Sequence, residues 1–276
     1  TLIQHLKELR LHSNISADDT VFYFTTCGWM MWNWLISNLA IGSTIVLYDG
    51  SPFHPDKNSM WNMIDDFKIT HFGTSPKFIE TCINTKLSPL KTHSLKSLKS
   101  ILSTGSPLIE KCFEYVYKHI KKDVQLSSIS GGTDIISCFA LGNTTLPVIN
   151  GEIQCIGLGM DVAAFNDHEE NLFNQKGELV CKKAFPSMPI YFWNDKDGKK
   201  FYDAYFNKYK NVWHHGDFIE INNHGGVKIF GRSDTTLNPG GIRIGTSEIY
   251  RVVESFDAIA DSLVIGQSIN DDERVI

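Results

Sequence analysis

Two glycine-rich segments carry hydroxyl and carboxylate side chains at a spacing suited to phosphate chemistry. The first reads Ser103-Thr104-Gly105-Ser106-Pro107, and the second reads Ser128-Ile129-Ser130-Gly131-Gly132-Thr133-Asp134. Small residues let the backbone approach a flat ring or a phosphate closely, while a hydroxyl beside a carboxylate can contact a phosphate and Mg²⁺. An ordinary turn is the commoner explanation of a Gly-Gly-Thr-Asp string, so each segment alone is weak support for a site.

A third candidate is His214-His215-Gly216-Asp217, which precedes a predicted strand beginning at Phe218. A carboxylate fixed by a glycine turn can accept hydrogen bonds from both hydroxyls of a ribose, because it has two oxygens for two donors. A metal ion is the alternative ligand of the paired histidines. Adjacent positions rarely face one ion and no third ligand is evident in the sequence, so the ribose interpretation is favoured.

The fourth candidate runs from Gly231 to Ile249 and reads GRSDTTLNPGGIRIGTSEI. Arg232 and Arg243 flank a glycine-rich loop that leads into a predicted helix. This arrangement suits the binding of a ribose and a phosphate across a movable joint. A surface turn with solvated charges is the alternative, and the segment by itself favours neither.

Hydrophobic patterning predicts an α/β arrangement that places the first two segments at strand ends. Short apolar runs alternate with helical patterns through the first half of the chain. The predicted strands are 21–26, 44–48, 70–73, 100–104 and 124–128, and the predicted helices between them are 60–67, 76–83 and 108–120. This alternation indicates a parallel sheet with right-handed crossovers, in which ligands bind beyond the carboxyl ends of the strands.

From about residue 149 the pattern changes to short extended runs separated by Gly, Asn and Asp turns. That change predicts a β-rich, mostly antiparallel subdomain. A second change follows Gly231-Arg232-Ser233-Asp234. We therefore predict an α/β part at 1–148, a β-rich subdomain at 149–232, and the start of a small α+β C-terminal domain at 233–276.

Composition favours a globular protein. The chain has 276 residues, is 42% hydrophobic and carries a formal charge of -5, which argues against broad binding of nucleic acid or anionic membranes. No apolar run reaches the roughly 20 residues of a membrane helix and no signal-peptide pattern is present, so a cytosolic location is expected. The six cysteines are widely spaced, which predicts reduced thiols rather than a zinc site or a disulfide framework.

At the fourth segment, the pattern G-R-S-D-x-x-L-N-x-x-G-x-R-x-G-x-x-E-I is similar to the hinge motif of the adenylate-forming superfamily. Within that superfamily it most resembles the acetyl-CoA and acetoacetyl-CoA synthetase branch. The strings TTCGWMMWNW at 25–34 and LYDGSP at 47–52 also resemble that branch. The four candidate segments occur in the family's order, and the resemblance covers essentially the whole chain.

The resemblance implies a two-step reaction. A carboxylate would attack the α-phosphate of ATP to give an acyl-adenylate and pyrophosphate, and the thiol of CoA would then displace AMP. The residues implied to bind the nucleotide are Gly105, Ser106 and Pro107 around the adenine, Thr133 at the α-phosphate with Gly132 beside it, Asp217 and Arg232 at the ribose, and Arg243 at the phosphate.

Three of the matching residues have implied catalytic roles, namely Thr133, Asp134 and Arg243. Asp134 matches the family's acidic Mg²⁺ position, which is usually Glu. Asp234 matches the hinge on which the small C-terminal domain rotates between the two half-reactions.

The family resemblance also implies an acyl pocket. Acetate-specific relatives place a Trp just before the residue that matches Gly132, whereas this chain has Gly131. Loss of an indole opens volume, so acetoacetate is preferred over acetate as the expected substrate. Trp29 is expected to form another pocket wall, and an ordinary core aromatic is the alternative.

The chain starts at Thr1 and stops at Ile276 inside an apolar stretch, so we expect an internal fragment. The family's phosphate loop and catalytic lysine are expected outside residues 1–276, and the fragment alone is therefore expected to be inactive. Two alternatives remain open at this stage: a synthetase for another short- or medium-chain acid, and a non-catalytic nucleotide-binding homologue. A Rossmann dehydrogenase is disfavoured because no G-x-G-x-x-G follows the first strand.

Overall fold

The computed structural model describes residues 1–233, 237, 244, 246–256, 258, 259, 261–269 and 272–276. The chain divides into two compact units, and each is described by itself. The first comprises Thr1–Met160 with Phe185–Pro189, and the second comprises Asp161–Ala184 with Ile190–Ile276. The three-part division with boundaries at 148 and 232 stays a prediction.

The first unit is built on a five-stranded parallel sheet. Its strands are β1 (Thr20–Tyr23), β2 (Thr44–Val46), β3 (His71–Thr74), β4 (Ser100–Ser103) and β5 (Gln125–Ser128), in the spatial order β2-β1-β3-β4-β5. Its helices are α1 (Leu2–Lys7), α2 (Met30–Ile36), α3 (Ser59–Asp66), α4 (Pro76–Asn84), α5 (Pro89–Thr92) and α6 (Glu110–Tyr115). The helices α1 and α6 continue into π-helical turns at Glu8–His12 and Val116–Ile120, and a 3₁₀ turn at Ser37–Ala40 follows α2.

Alternate residues of β1 show why this sheet is covered on both faces. Phe22 packs in a core cluster with side chains of α3, α4 and α6, whereas Val21 and Tyr23 pack in another cluster with side chains of α2. Parallel strands are buried on both faces in this way because their crossover helices cover the sheet. The alternation of strand and helix that the sequence predicted is therefore confirmed.

A second, antiparallel sheet in the first unit corrects the prediction for the Gly-Gly-Thr-Asp segment. Its strands are β6 (Ser130–Gly132), β7 (Ser137–Leu141) and β8 (Cys155–Ile156), in the order β6-β7-β8. The segment was predicted to be a loop after β5, but residues 130–132 form a strand and residues 133–136 form the turn of a hairpin. Pairing with β7 supplies the order that the small residues lack by themselves.

The second unit contains a five-stranded antiparallel sheet, which confirms the predicted change of architecture. Its strands are β9 (Val162–Phe165), β10 (Asn171–Leu172), β11 (Gly177–Cys181), β12 (Trp213–Ile221) and β13 (Val227–Arg232), in the order β10-β9-β11-β12-β13. The unit also contains α7 (Lys199–Tyr205), α8 (Thr246–Val253) and a hairpin of β14 (Gly266–Ile269) with β15 (Asp272–Val275).

The His-His-Gly-Asp segment lies inside β12 rather than in a turn before it. His214 pairs with Val180 of β11, and Asp217 pairs with Arg232 of β13. Gly216 has φ +80°, and the pairing register with β13 shifts between Asp217 and Ile219. The predicted turn is therefore wrong: the glycine permits a bulge, and pairing on both sides holds a polar segment in a strand.

The state of the cysteines agrees with the prediction of reduced thiols. All six cysteines are free thiols, and four of them are buried, namely Cys82, Cys112, Cys138 and Cys181. In the described part of the chain, no helix combines the length and the apolar character needed to cross a bilayer.

Candidate active site

A cavity of about 170 Å³ lies where the loops beyond the carboxyl ends of β1, β4 and β5 meet. Its lining residues are Trp29, Met30, Met31, Thr104, Gly105, Ile129, Gly131, Gly132, Thr133 and Cys138. This is the edge at which open parallel sheets bind ligands. Five of the residues predicted to bind substrate or nucleotide therefore share one cavity: Trp29, Gly105, Gly131, Gly132 and Thr133.

Two cavities with larger volumes contain none of the predicted site residues. One of about 250 Å³ is lined by residues such as His71, Ser100 and Gln125, which start β3, β4 and β5. The other, of about 290 Å³, is formed by residues 191–196. Volume alone therefore does not identify the site, whereas the convergence of strand-end loops does.

The loop after β4 is shaped by one glycine and one hydroxyl. Gly105 has φ +107°, a conformation that favours glycine, and a Cβ there would have no heavy atom within 4 Å. Thr104 Oγ1 donates to Ile129 O at 2.9 Å and so joins the loops after β4 and β5. Ser106 is exposed and Pro107 is half-buried. In the segment predicted to contact an adenine, Ser106 is therefore accessible to a ligand, while Thr104 is held by its hydrogen bond to the loop after β5.

Thr133 and Asp134 lie in the exposed turn of the β6–β7 hairpin. Asp134 Oδ1 accepts a hydrogen bond from the Ile135 N–H at 3.0 Å. Mg²⁺ keeps several waters and is held by one or two carboxylates together with substrate phosphates. An exposed carboxylate next to a threonine fits that donor set. Among the residues that the structure describes, no group of three His, Cys, Asp or Glu side chains could form a complete metal cage.

Gly131 lies where β6 approaches β7 most closely. A Cβ at this position would lie 2.0 Å from Ser137 O and 2.8 Å from Cys138 Cα. Any side chain here would overlap the backbone of β7, so the close approach of two strands requires glycine. The predicted effect of Gly131 on pocket volume stays a prediction. The structure adds that a Trp at this position needs a different backbone path.

Trp29 is 61% exposed and lines the cavity, so the alternative of an ordinary core aromatic is wrong. Met30 and Met31 follow it at the start of α2, and both are buried while lining the same cavity. The wall on this side is therefore a helix start, with one exposed ring and two flexible apolar side chains. The predicted role of Trp29 towards substrate is not tested by this placement.

In the second unit, the structure brings together the two residues predicted to bind a ribose. Arg232 Nη1 lies 3.5 Å from Asp217 Oδ1 and donates to His215 O at 3.2 Å. His215 Nε2 lies 3.6 Å from Asp217 Oδ2. Asp217 is 8% exposed, whereas Arg232 is exposed. The role of this pair stays a prediction.

Glu178 is a buried carboxylate that the sequence reasoning missed. It accepts hydrogen bonds from Lys208 Nζ at 2.6 Å, Ser233 Oγ at 2.6 Å and His214 Nε2 at 2.9 Å. Burial raises the pKa of the Glu178 carboxyl, but the hydrogen bonds from His214, Lys208 and Ser233 outweigh burial and lower that pKa to about 2. The available signal was one acidic residue in the otherwise uncharged run Gly177–Cys181.

This network also separates the paired histidines. His214 donates to Glu178, whereas His215 lies beside Asp217. The two rings therefore face different carboxylates, and the ribose interpretation of the segment stays favoured over a shared metal.

The first unit contains a second missed carboxylate. Glu8 is 0% exposed, and its oxygens accept hydrogen bonds from four groups: Gln4 Nε2, Trp34 Nε1, Ser137 Oγ and the Cys138 backbone N–H. A charged residue next to the buried Leu9 was the available signal, since a buried charge requires partners.

Two predicted residues, the hinge Asp234 and the phosphate-binding Arg243, lie outside the described residues. Leu237 and Ile244 are described, and they form an antiparallel bridge with each other.

Comparison with known proteins shows the family of the chain. Residues 2–192 match the family described as "AMP-binding enzyme". The chain belongs to the AMP-binding enzyme family. Among curated members, the chain is similar to "Acetoacetyl-coenzyme A synthetase" of Rhizobium meliloti (strain 1021), with 56% identity over 276 residues, and to "Acetoacetyl-CoA synthetase" of Gallus gallus, with 54% identity over 278 residues. Each alignment covers 100% of this chain and 42% of the relative.

Solved structures of this AMP-binding enzyme fold agree. The acetoacetyl-CoA synthetase from Streptomyces lividans matches with a TM-score of 0.90 and 43% identity, covering 96% of this chain and 41% of that chain. The anthranilate CoA ligase AuaEII, in complex with anthranoyl-AMP, matches with a TM-score of 0.81. At 17% identity the second likeness shows the fold alone. The chain thus spans about two fifths of the length of these two curated relatives.

Proposed function

We propose that the chain is part of an ATP-dependent acetoacetate–CoA ligase that works through an acetoacetyl-adenylate and releases AMP and pyrophosphate. One observation carries the proposal: all 276 residues align with a curated acetoacetyl-CoA synthetase at 56% identity. That alignment includes every residue that lines the cavity at the sheet edge.

The reaction has two bond exchanges. In the first, a carboxylate oxygen of acetoacetate forms a bond to the α-phosphorus of ATP, and the bond from that phosphorus to the pyrophosphate oxygen breaks. In the second, the CoA sulfur bonds to the acyl carbon, the carbon–oxygen bond to AMP breaks, and the thiol proton goes to solvent. Both steps require an acid and a nucleotide to be held in contact.

In the first unit, we assign the acid to the cavity bounded by Trp29 and Gly131. Gly105, Ser106 and Pro107 would present backbone and small side chains to the adenine. Thr133, with Gly132 beside it, would contact the α-phosphate from the hairpin turn. This assignment is supported by the shared cavity, in which an apolar wall faces a small-residue hairpin.

Asp134 would hold Mg²⁺, which supplies charge neutralisation at the phosphates when bound. Its carboxylate lies in the same exposed turn as Thr133. Aspartate is shorter than the glutamate usual at this position in the family, so Asp134 would have the shorter reach towards the metal.

In the second unit, we assign the ribose hydroxyls to Asp217 and the neighbouring Arg232. The carboxylate is held by the bulge in β12 and by the arginine on β13, so its oxygens are fixed before a ligand arrives. Arg243 and Asp234 complete the proposal as the phosphate contact and the hinge.

The test is pyrophosphate release by the full-length protein that carries these residues, with ATP and Mg²⁺. Acetoacetate is compared with acetate, butyrate and no acid. We expect acetoacetate to give the largest kcat/KM, and Asp217→Ala to lower it by about 100-fold, because charged hydrogen bonds to the ribose are lost. Preference for another acid keeps the reaction class and changes the substrate. Absence of release with every acid contradicts the proposal and favours a non-catalytic homologue.

A further inference from the structure

Glu8 lies outside the cavity and accepts hydrogen bonds from α2 and β7, two elements that contribute residues to its lining. Its Oε2 accepts from Trp34 Nε1 at 3.1 Å. Its Oε1 accepts from Ser137 Oγ at 2.5 Å and from the Cys138 N–H at 3.3 Å. Trp34 and the Glu8 carboxylate are both fully buried, so water does not compete for these hydrogen bonds.

The partners of Glu8 belong to elements that shape the cavity. Trp34 lies on α2, whose first residues Met30 and Met31 line the cavity. Cys138 lies on β7, lines the cavity, and pairs in register with Gly131 of β6. One carboxylate thus connects the helical wall with the strand wall.

We propose that Glu8 is a positioning residue that fixes the spacing between α2 and β7 and thereby sets which carboxylic acid the cavity accepts. The inference rests on the proposed function, because it concerns the acid pocket of that reaction. Glu8 does not line the cavity, so its effect on substrate passes through Trp34 on one side and Cys138 on the other.

The chemistry of the cluster requires a carboxylate at this position. Four N–H or O–H donors converge on the two oxygens, with three at Oε1 and one at Oε2. An amide has one acceptor end and one donor end. A glutamine that keeps its oxygen towards Ser137 therefore presents its NH₂ group to the Trp34 indole N–H, and the contact with α2 is lost.

Gln4 provides a matched control inside the same cluster. Its Nε2 donates to Glu8 at 3.2 Å, to Ser137 Oγ at 2.8 Å and to Met160 Sδ at 3.4 Å. None of these three hydrogen bonds reaches α2. Loss of the Gln4 amide therefore leaves the hydrogen bonds of Glu8 with Trp34 and with Cys138 in place. Gln4→Met removes the donor while keeping the length of the side chain.

The experiment compares Glu8→Gln, Trp34→Phe and Gln4→Met in the full-length protein. Each variant is assayed for kcat/KM with acetoacetate and with hexanoate, for the KM of ATP, and for hydrogen exchange of α2. Trp34→Phe removes a single donor and keeps an aromatic ring, so it remains informative if Glu8→Gln folds poorly.

We expect Glu8→Gln and Trp34→Phe to lower the ratio of acetoacetate to hexanoate kcat/KM by about tenfold, because a released wall admits the longer acid. The KM of ATP should stay within about twofold, and the α2 amides should exchange faster. Gln4→Met should leave the acid ratio unchanged. A protein that is merely less stable loses active molecules for both acids equally, so its ratio does not move.

The proposal is overturned if Trp34→Phe keeps the wild-type acid ratio, or if Gln4→Met changes that ratio as much as Trp34→Phe does. These outcomes differ from failure of the proposed function, in which the wild-type protein itself releases no pyrophosphate with acetoacetate.

Discussion

Each unit of the chain buries one glutamate among several donors, and the two are stabilised by different kinds of partner. Glu8 accepts from a side-chain amide, an indole, a hydroxyl and a backbone N–H, which are all neutral. Lys7 Nζ lies 3.7 Å from Glu8 but makes no hydrogen bond. Glu178 instead accepts from a lysine, a hydroxyl and a histidine.

The two networks hold a buried carboxylate in place with different donors, neutral groups in one case and mainly basic groups in the other. The groups that donate hydrogen bonds to Glu8 are neutral and do not titrate, and the Lys7 ammonium at 3.7 Å adds an ion pair without a hydrogen bond. Around Glu178 two of the three donors are basic, and the hydrogen bonds from His214, Lys208 and Ser233 outweigh burial and lower the pKa of its carboxyl to about 2. Glu178 also joins β11 to His214 of β12 and to Ser233, the residue before the predicted hinge. We therefore expect neutral hydrogen bonds to contribute most of the stability at Glu8, and the stability contributed by Glu178 to depend on pH.

Glu8→Ala should give the largest loss of stability, about 5 kcal/mol in the free energy of unfolding, because four buried donors lose their acceptor. Urea denaturation followed by tryptophan fluorescence measures it. Glu114→Ala, at an exposed glutamate of α6, is the control and should change stability by less than about 0.5 kcal/mol. Similar effects at both positions would remove the distinction claimed for Glu8.

Glu178→Gln should lower the free energy of unfolding by up to about 3 kcal/mol near neutral pH, because the ionised carboxylate that His214, Lys208 and Ser233 stabilise is lost. The folded pKa of about 2 lies below the ordinary value of 4.5. The stability that the carboxylate contributes is therefore complete above pH 4.5 and is lost as the pH falls towards 2.

The wild type should accordingly lose its advantage over Glu178→Gln across that pH window, as measured by denaturation at a series of pH values. Asp203→Asn, at an exposed acid of α7, should keep the wild-type pH profile. A constant difference between wild type and Glu178→Gln from pH 7 to pH 2 would show that charge is not what stabilises this network.

Gly131→Ala should destabilise the first unit by about 2 kcal/mol through overlap with the backbone of β7. It tests whether the spacing next to Glu8 is rigid, since β7 carries two of that residue's partners. Gly28→Ala is the matched control, because a Cβ there would meet nothing closer than 4.0 Å. Thermal unfolding of both variants gives the comparison. Equal midpoints would mean that the β7 backbone shifts to accommodate the added methyl group at little cost in stability.

Ser233→Ala should give the smallest effect, about 1 kcal/mol, because it removes one of three hydrogen bonds to Glu178 and leaves both basic partners. Denaturation at neutral pH measures the loss. A cost as large as that of Glu178→Gln would indicate that the hydroxyl, rather than the basic groups, dominates the network.

The sequence predicted the parallel sheet well because its signals are local. The predicted strand at 100–104 and the observed β4 at Ser100–Ser103 differ by one residue, and the glycine-rich loop follows as expected. Apolar strands between helical patterns need no knowledge of distant partners to be recognised.

The polar parts were less predictable because their order comes from distant residues. β12 was predicted to begin at Phe218, whereas pairing with β11 and β13 extends it back to Trp213. Glu8 and Ser137 are 129 positions apart, and Glu178 and Ser233 are 55 apart. No local pattern shows that such groups meet, so both buried carboxylates were missed.

The exposure of Cys27 has a practical consequence for chemical labelling. Cys27 is exposed and lies two positions before Trp29. Burial raises the pKa of the other five thiols, to about 12 for Cys82 and Cys112. The remaining three thiols with a raised pKa are Cys138, Cys155 and Cys181. Thiolates rather than thiols react with maleimides. A fluorophore supplied at limiting concentration should therefore attach at Cys27 first, which gives a native reporter beside the cavity without any engineered cysteine.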